Sequence, residues 1–325
     1  MAEWVDGVRV AFALGGLCLA SLTDLKTREV PNELWYALGA AALALMALDF
    51  NGTFGGAAWA LAVPVGLLFV VAVTGGEIVS VFPEGEEPPE GFEPTPAQRR
   101  TIRIDMALTA LLIGSALALF VLASSWDLGR RVGSLEGPQA QAYSTSIMFG
   151  LAIGLYMASL LAGGGDAKAL ILLAALFPRA PALPGLPLVA PSALSIELLP
   201  YSLAVFFNAG LLLVLLKVPL SLAMSAREGS VKLPQSLFGH PKRVDLVNLE
   251  REWVMGKIDE GAFVETRMVT HGAHSDGEQA KALAFLKESG AERVFVTSKI
   301  PFMVYLLVGF AFALLFTSPL YFVAR

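Results

Sequence analysis

Six stretches of this 325-residue chain, 10–22, 34–48, 56–73, 106–123, 147–162 and 302–316, are almost free of charged side chains. A bilayer core is crossed by roughly 20 apolar residues in a helix, and several of these runs reach or approach that length. Hydrophobic residues make up 55% of the chain and charged ones only 16%, where a soluble domain is nearer half and a quarter. The mean hydropathy of +0.65 agrees. The expected fold class is an all-α polytopic membrane protein with about eight transmembrane helices, over 6–23, 33–49, 56–80, 103–124, 143–163, 167–178, 198–224 and 301–323. The sixth is short, starting at Asp166 and stopping at Phe177-Pro178, and reads alternatively as a half-span helix followed by the Pro-rich segment 178–191. Pro64 and Pro219 fall inside these spans, where neighbouring helices can satisfy the carbonyls a proline leaves open.

Two connecting segments are large. Pro83–Gln98 carries Glu84, Glu86, Glu87, Glu90 and Glu93 among several prolines, too polar to pack a core, and reads as a mobile linker. Residues 225–299 are long enough for a small cytoplasmic α+β subdomain. There Arg251–Ile258 and Ala262–Val269, separated by Asp259-Glu260-Gly261, predict a hairpin. Ser275 or Asp276 is placed to cap a helix over 277–289 that Gly290 ends, and Arg293–Thr297 predicts a strand. The domain reading is a membrane-embedded core at 1–224, the subdomain at 225–299 and a last helix at 300–325.

Basic residues orient the chain. With the N-terminus outside, Lys26, Arg28, Arg99, Arg100, Arg103, Lys168 and the basic residues of 225–300 fall inside. Arg9, Arg130, Arg131, Arg179 and Arg325 fall outside, as the positive-inside rule requires. The same orientation puts Asp24 and Asp166 on one side, the cytoplasmic one. A carboxylate at the edge of an apolar run is costly and marks function. Two that meet can share a proton and activate a water, which is aspartyl-protease chemistry.

Asp24 ends the first apolar run, and Lys26 and Arg28 beside it favour an ionised carboxylate. Pro31-Asn32 then starts the next helix. Gly163, Gly164 and Gly165 strip side chains away just before Asp166, leaving room for close approach. Asp166 stands at the start of the following helix, where free amides favour negative charge, with Lys168 next to it. Glu77, after Gly75-Gly76, is a candidate for touching substrate, set against an interfacial glutamate that only snorkels.

The pattern Asp24-Leu-Lys26-Thr-Arg28-Glu-Val30-Pro31-Asn32, followed by Gly163-Gly164-Gly165-Asp166-Ala167-Lys168, resembles the type IV prepilin peptidases, polytopic aspartyl proteases of the Gly-x-Gly-Asp class. Lys299-Ile300-Pro301-Phe302-Met303 is similar to the archaeal members, which include preflagellin (archaellin) peptidases. The resemblance implies that Asp24 and Asp166 are catalytic and that Lys26, Arg28, Pro31, Asn32, Gly163 and Gly165 shape the site. It implies cleavage of class III signal peptides from pilin-like or archaellin precursors, which present a basic leader and an apolar helix at the cytoplasmic face of the plasma membrane. Bacterial relatives often add a cysteine-rich zinc insertion and N-methyltransferase activity. With Cys18 as its one cysteine, this chain is expected to be a peptidase only, with no metal and no cofactor.

Other classes are weighed against this one. A presenilin-like intramembrane protease shares Gly-x-Gly-Asp, but there a tyrosine normally precedes the first aspartate, and here Thr23 does. A cation-coupled transporter would place its aspartate near mid-membrane between repeated halves. A scaffold would tolerate loss of both aspartates. The net charge of −5 and the lack of a basic, aromatic-laced stripe argue against nucleic acid. His240, His271 and His274 invite a metal reading, and His271-Gly-Ala-His274 has a ligand-like spacing, but without an evident third ligand all three read as exposed loop histidines. Asp105 and Lys217 read as helix-end and interfacial charges. The acidic linker is either passive or an electrostatic lure for a basic leader.

Overall fold

The computed structural model describes residues 2–27, 30–54, 145, 147–152, 154–155, 164–177, 180–188, 200–259, 261–266 and 276–319. These fall into two compact units. One is helical, built from the N-terminal portion of the chain through Gly210 together with Pro301 onward, and the other is mixed, from Leu211 to Ile300.

The helical unit contains α1 (Ala2–Thr27), α2 (Asn32–Phe54), α3 (Gly164–Leu176), the first turns of α4 (Tyr201–Arg227) and α7 (Phe302–Phe316). Its centre is α3. Every residue from Ala167 to Phe177 is buried, and Leu170, Ile171, Leu172, Leu173 and Leu176 are each at most 1% exposed. Burying one such side chain is worth about 1.5–3 kcal/mol, so a helix apolar on every side is stable only when enclosed. α2 packs along α3, and α1 packs along α7 and against α2 and α3. Phe177 at the end of α3, Tyr201 at the start of α4 and Phe310 of α7 form an aromatic cluster with centroids 5.2–6.2 Å apart. Gly309 lets α7 lie against the backbone of α4. A Cβ there would stand 2.7 Å from the Ala209 nitrogen and 2.9 Å from the Val205 oxygen.

One end of this unit is tied by an ion pair. Asp6 and Arg9, one helical turn apart on α1, are each 1% exposed and meet at 3.3 Å. Asp6 Oδ2 also accepts the Ala182 N–H at 2.9 Å, and Arg9 donates to the Leu45 carbonyl of α2 at 3.4 Å. Buried charges are stable only when paired and hydrogen-bonded in this way. Arg9, read from sequence as an outer-face charge, is an interior residue.

The mixed unit holds the remainder of α4, α5 (Gln235–Phe238), β1 (His240–Arg243), a 3-10 turn (Val244–Leu246), β2 (Glu252–Val254), β3 (Gly256–Asp259), β4 (Ala262–Glu265), α6 (Asp276–Glu288) and β5 (Arg293–Ser298). β5 is the middle strand of an antiparallel sheet ordered β1-β5-β2, with His240 opposite Val296 and Glu252 opposite Ser298. β3 and β4 form a separate hairpin in which Asp259 faces Ala262 and Gly261 turns at φ +77°. α6 packs on the strands through Leu283 and Leu286 against Val244, Val254, Val294 and Val296. Gln279 pins β2 by accepting the Val254 N–H at 2.7 Å. The predicted hairpin, helix and last strand of this region are present. The expected long strand 251–258 is instead two strands, β2 and β3, that serve different sheets.

The all-α, eight-span expectation is overturned. Among the described residues the structure is mixed, with eight helical elements and two small antiparallel sheets. Two helices among the described residues, Trp4–Thr27 and Tyr201–Arg227, are long and apolar enough to cross a membrane. For the described residues, the error lay in reading apolar length as membrane length. The expected sixth span is a 13-residue helix enclosed at the centre of the helical unit, as short as its half-span alternative had it. α7 has 15 residues, about 22 Å at 1.5 Å each, and the chain turns off it at Thr317 with φ 65°. In α2, Glu33 and Asp49 bound a shorter uninterrupted apolar stretch. The expected spans 56–80 and 103–124 and the acidic linker lie outside the described residues, as does most of 143–163.

Candidate functional site

Four helix ends meet at the end of the helical unit away from the Asp6–Arg9 pair. Asp24 lies in the last two turns of α1, half-buried. Thr23 beside it keeps its hydroxyl inside the helix, donating to Leu19 and Ala20 carbonyls at 3.0 and 2.9 Å. Thr27 does the same to Thr23 at 3.0 Å, so polar side chains end an apolar helix without leaving donors unmet.

α7 begins at this end. Its N-cap, Pro301, has no side chain able to hydrogen-bond, so the first-turn amides of α7 need a partner from elsewhere. Asp24 supplies one. Its Oδ2 accepts the Met303 N–H at 3.3 Å.

α2 and α3 start at the same end, side by side. Lys168, 6% exposed, donates its ammonium to Asn32 Oδ1 at 2.6 Å. The bond joins the second turn of α3 to the first residue of α2. Pro31 opens α2 with its carbonyl accepting the Leu34 N–H at 3.2 Å. Lysine is rarely buried without a partner, and this one is held where the resemblance places the site. Asp166 is half-buried in the first turn of α3.

Asp24 and Asp166 thus stand at the same end of one helical unit. Asp24 is bonded to the start of α7, and Asp166 is two residues from the lysine that clamps the start of α2. Lys26 and Pro31 are exposed at this end. Gly165 is helical, and among the described residues a Cβ on it would meet nothing within 4 Å. Its backbone needs no glycine-only conformation. Arg28, Gly163 and Glu77 lie outside the described residues, as do His271 and His274. Among the described residues no three His, Cys, Asp or Glu side chains gather as a metal site.

Sequence reasoning missed the Met303 amide. The available signal was Pro301 at the head of an apolar helix, which leaves first-turn N–H groups for another residue to cap. It also read His240 as an exposed loop histidine, and the structure corrects this: His240 opens a strand of the three-stranded sheet. That side chain is buried on β1, and burial lowers its pKa below the ordinary value.

Chemically, two carboxylates at converging helix ends, one of them accepting a helix amide, suit general acid–base work on a water and a carbonyl. No protein-family model matches the chain, and no curated protein matches it.

Proposed function

We propose that the chain is a membrane aspartyl endopeptidase of the prepilin-peptidase kind, with Asp24 and Asp166 as the catalytic pair. The observation that carries this reading is the convergence of the α1, α2, α3 and α7 ends, which puts both aspartates and the Lys168–Asn32 clamp at one end of the helical unit. The resemblance of the two motifs supports it from the sequence side.

One carboxylate takes a proton from water as the oxygen adds to the scissile carbonyl carbon, and the other donates a proton to the carbonyl oxygen. Collapse of the tetrahedral intermediate breaks the C–N bond, and the leaving nitrogen takes a proton to depart as an amine. Lys168 and Asn32 hold the starts of α3 and α2 together, so that Asp166 keeps its place while the reaction proceeds. The absence of a side chain at Gly165 admits an extended substrate backbone.

The substrate is a pilin-like or archaellin precursor with a basic leader ahead of an apolar helix. The site faces the cytoplasm of a multi-pass plasma-membrane protein, an orientation supported by the exposed Lys26 at this end and by the charge distribution of the chain. Two apolar helices of spanning length, α1 and α4, support residence in the bilayer.

The test is direct. Protein reconstituted in lipid vesicles is incubated with a precursor carrying such a leader, and the products are analysed by mass spectrometry. A single cut between leader and apolar helix is expected. An intact precursor under conditions where the protein is folded would overturn the reading.

A further inference from the structure

We infer that the first turn of α7 is a positioning element of the catalytic machinery, acting through the Met303 backbone N–H on the Asp24 carboxylate. This rests on the peptidase reading above and assigns a role that the two sequence motifs leave out.

Three observations carry it. The Met303 N–H points to Asp24 Oδ2 at 3.3 Å. The helix it belongs to has no capping side chain of its own, because Pro301 occupies the N-cap position. The Met303 side chain is 1% exposed and packed in the core of the helical unit, so its amide is held by a fixed residue.

The Met303 amide ties one oxygen of the Asp24 carboxylate to a rigid helix start and so takes part in fixing where that carboxylate presents itself to water. Small misplacements of a reacting group lower rates by as much as about 100-fold. The bond also joins α1 to α7 at the site, so a shift of α7 displaces Asp24 while leaving the two motifs unchanged in sequence.

The amide can be removed selectively. Proline lacks the N–H and is tolerated in the first turn of a helix, where that N–H has no intrahelical partner. The comparison is Met303→Pro against Met303→Ala and Met303→Leu, which keep the amide and alter only the side chain. Each is reconstituted and assayed on the leader-bearing precursor for kcat and KM separately, with thermal unfolding measured alongside.

Met303→Leu should restore near wild-type turnover. Met303→Pro should show kcat about 10- to 100-fold below Met303→Ala, with KM within about threefold. Equal kcat for the proline and alanine variants at matched stability would overturn the inference. Should the proline variant not fold, replacing residue 303 with the α-hydroxy analogue of methionine changes the amide to an ester, removing the N–H while keeping the side chain. The same fall in kcat is then expected, and full turnover overturns the role.

The two failures separate cleanly. Wild-type protein that cuts while Asp24→Asn does not, with no difference between the Met303 variants, ends this inference alone. Wild-type protein that does not cut, or an Asp24→Asn variant that does, ends the peptidase reading and this inference with it.

Discussion

Met303 donates its backbone N–H to Asp24 Oδ2 at 3.3 Å, joining residues 279 positions apart. The contact places the start of the last described helix at the aspartate that ends the first, and with it α7 becomes part of the candidate site. Lys168 and Asn32, bonded at 2.6 Å, do the same for α3 and α2. Removing either contact should alter the site before it alters the fold.

Gly165 offers the sharpest separation of activity from stability. A methyl group there meets no described residue within 4 Å, and alanine is favoured over glycine in a helix by up to about 0.5–1 kcal/mol, less in a first turn such as this one. Gly165→Ala should therefore unfold at the same or a slightly higher temperature than wild type. Its kcat/KM on the precursor should fall, because the methyl group occupies space the substrate needs. Full activity in a stable Gly165→Ala protein would remove the substrate-room role.

Gly309 predicts the opposite outcome. A Cβ at this position collides with backbone atoms of Ala209 and Val205, which cannot swing away as a side chain would. Gly309→Ala should destabilise the helical unit by about 1–3 kcal/mol, the usual cost of overpacking. Its thermal midpoint should fall while KM of the folded fraction is unchanged. An unchanged midpoint would show that α7 and α4 are not held at this separation.

His240 makes the mixed unit sensitive to pH. Burial is the largest cause of its lowered pKa, with Lys217 and Lys242 pushing the same way against Glu252 and Glu228. The folded protein then binds this proton more weakly than the unfolded chain, whose value is the ordinary 6.5. The contribution is complete above that value and is lost as pH falls from it through the folded pKa. His240→Gln should flatten this part of the stability profile. Unfolding followed from about pH 8 to about pH 5 checks it, and identical slopes in wild type and variant would contradict it.

Local signals in the sequence carried through to the structure and non-local ones did not. Gly261 and Gly290 both adopt positive φ where a turn and a helix end were expected, because those conformations depend on the residue itself. The alternative reading of 167–178 as a short helix ending before Pro178 matches the 13-residue α3, whereas its count as a full span failed because a helix enclosed by protein and one enclosed by lipid are equally apolar all round. What distinguishes them is which neighbours surround the helix, and that information lies in α1, α2 and α7. Asp24, Asn32, Asp166 and Lys168 could be picked out from their motifs, whereas a backbone donor such as the Met303 amide has no residue type of its own and was signalled only indirectly, by Pro301 at the head of its helix. Arg9 was misplaced for a related reason. Its partner Asp6 sits one turn away, but whether such a pair is buried depends on Ala182 and Leu45.

The central claim is that Asp24 and Asp166 work as one catalytic pair, and single neutralising variants test it most directly. Asp24→Asn and Asp166→Asn, reconstituted in vesicles at wild-type levels, are assayed for cleavage of a leader-bearing precursor. Each should lose activity by about a thousandfold or more, and the double variant should be scarcely worse than either, because groups that act as a unit are not additive. Near-normal cleavage by either single variant would contradict the account.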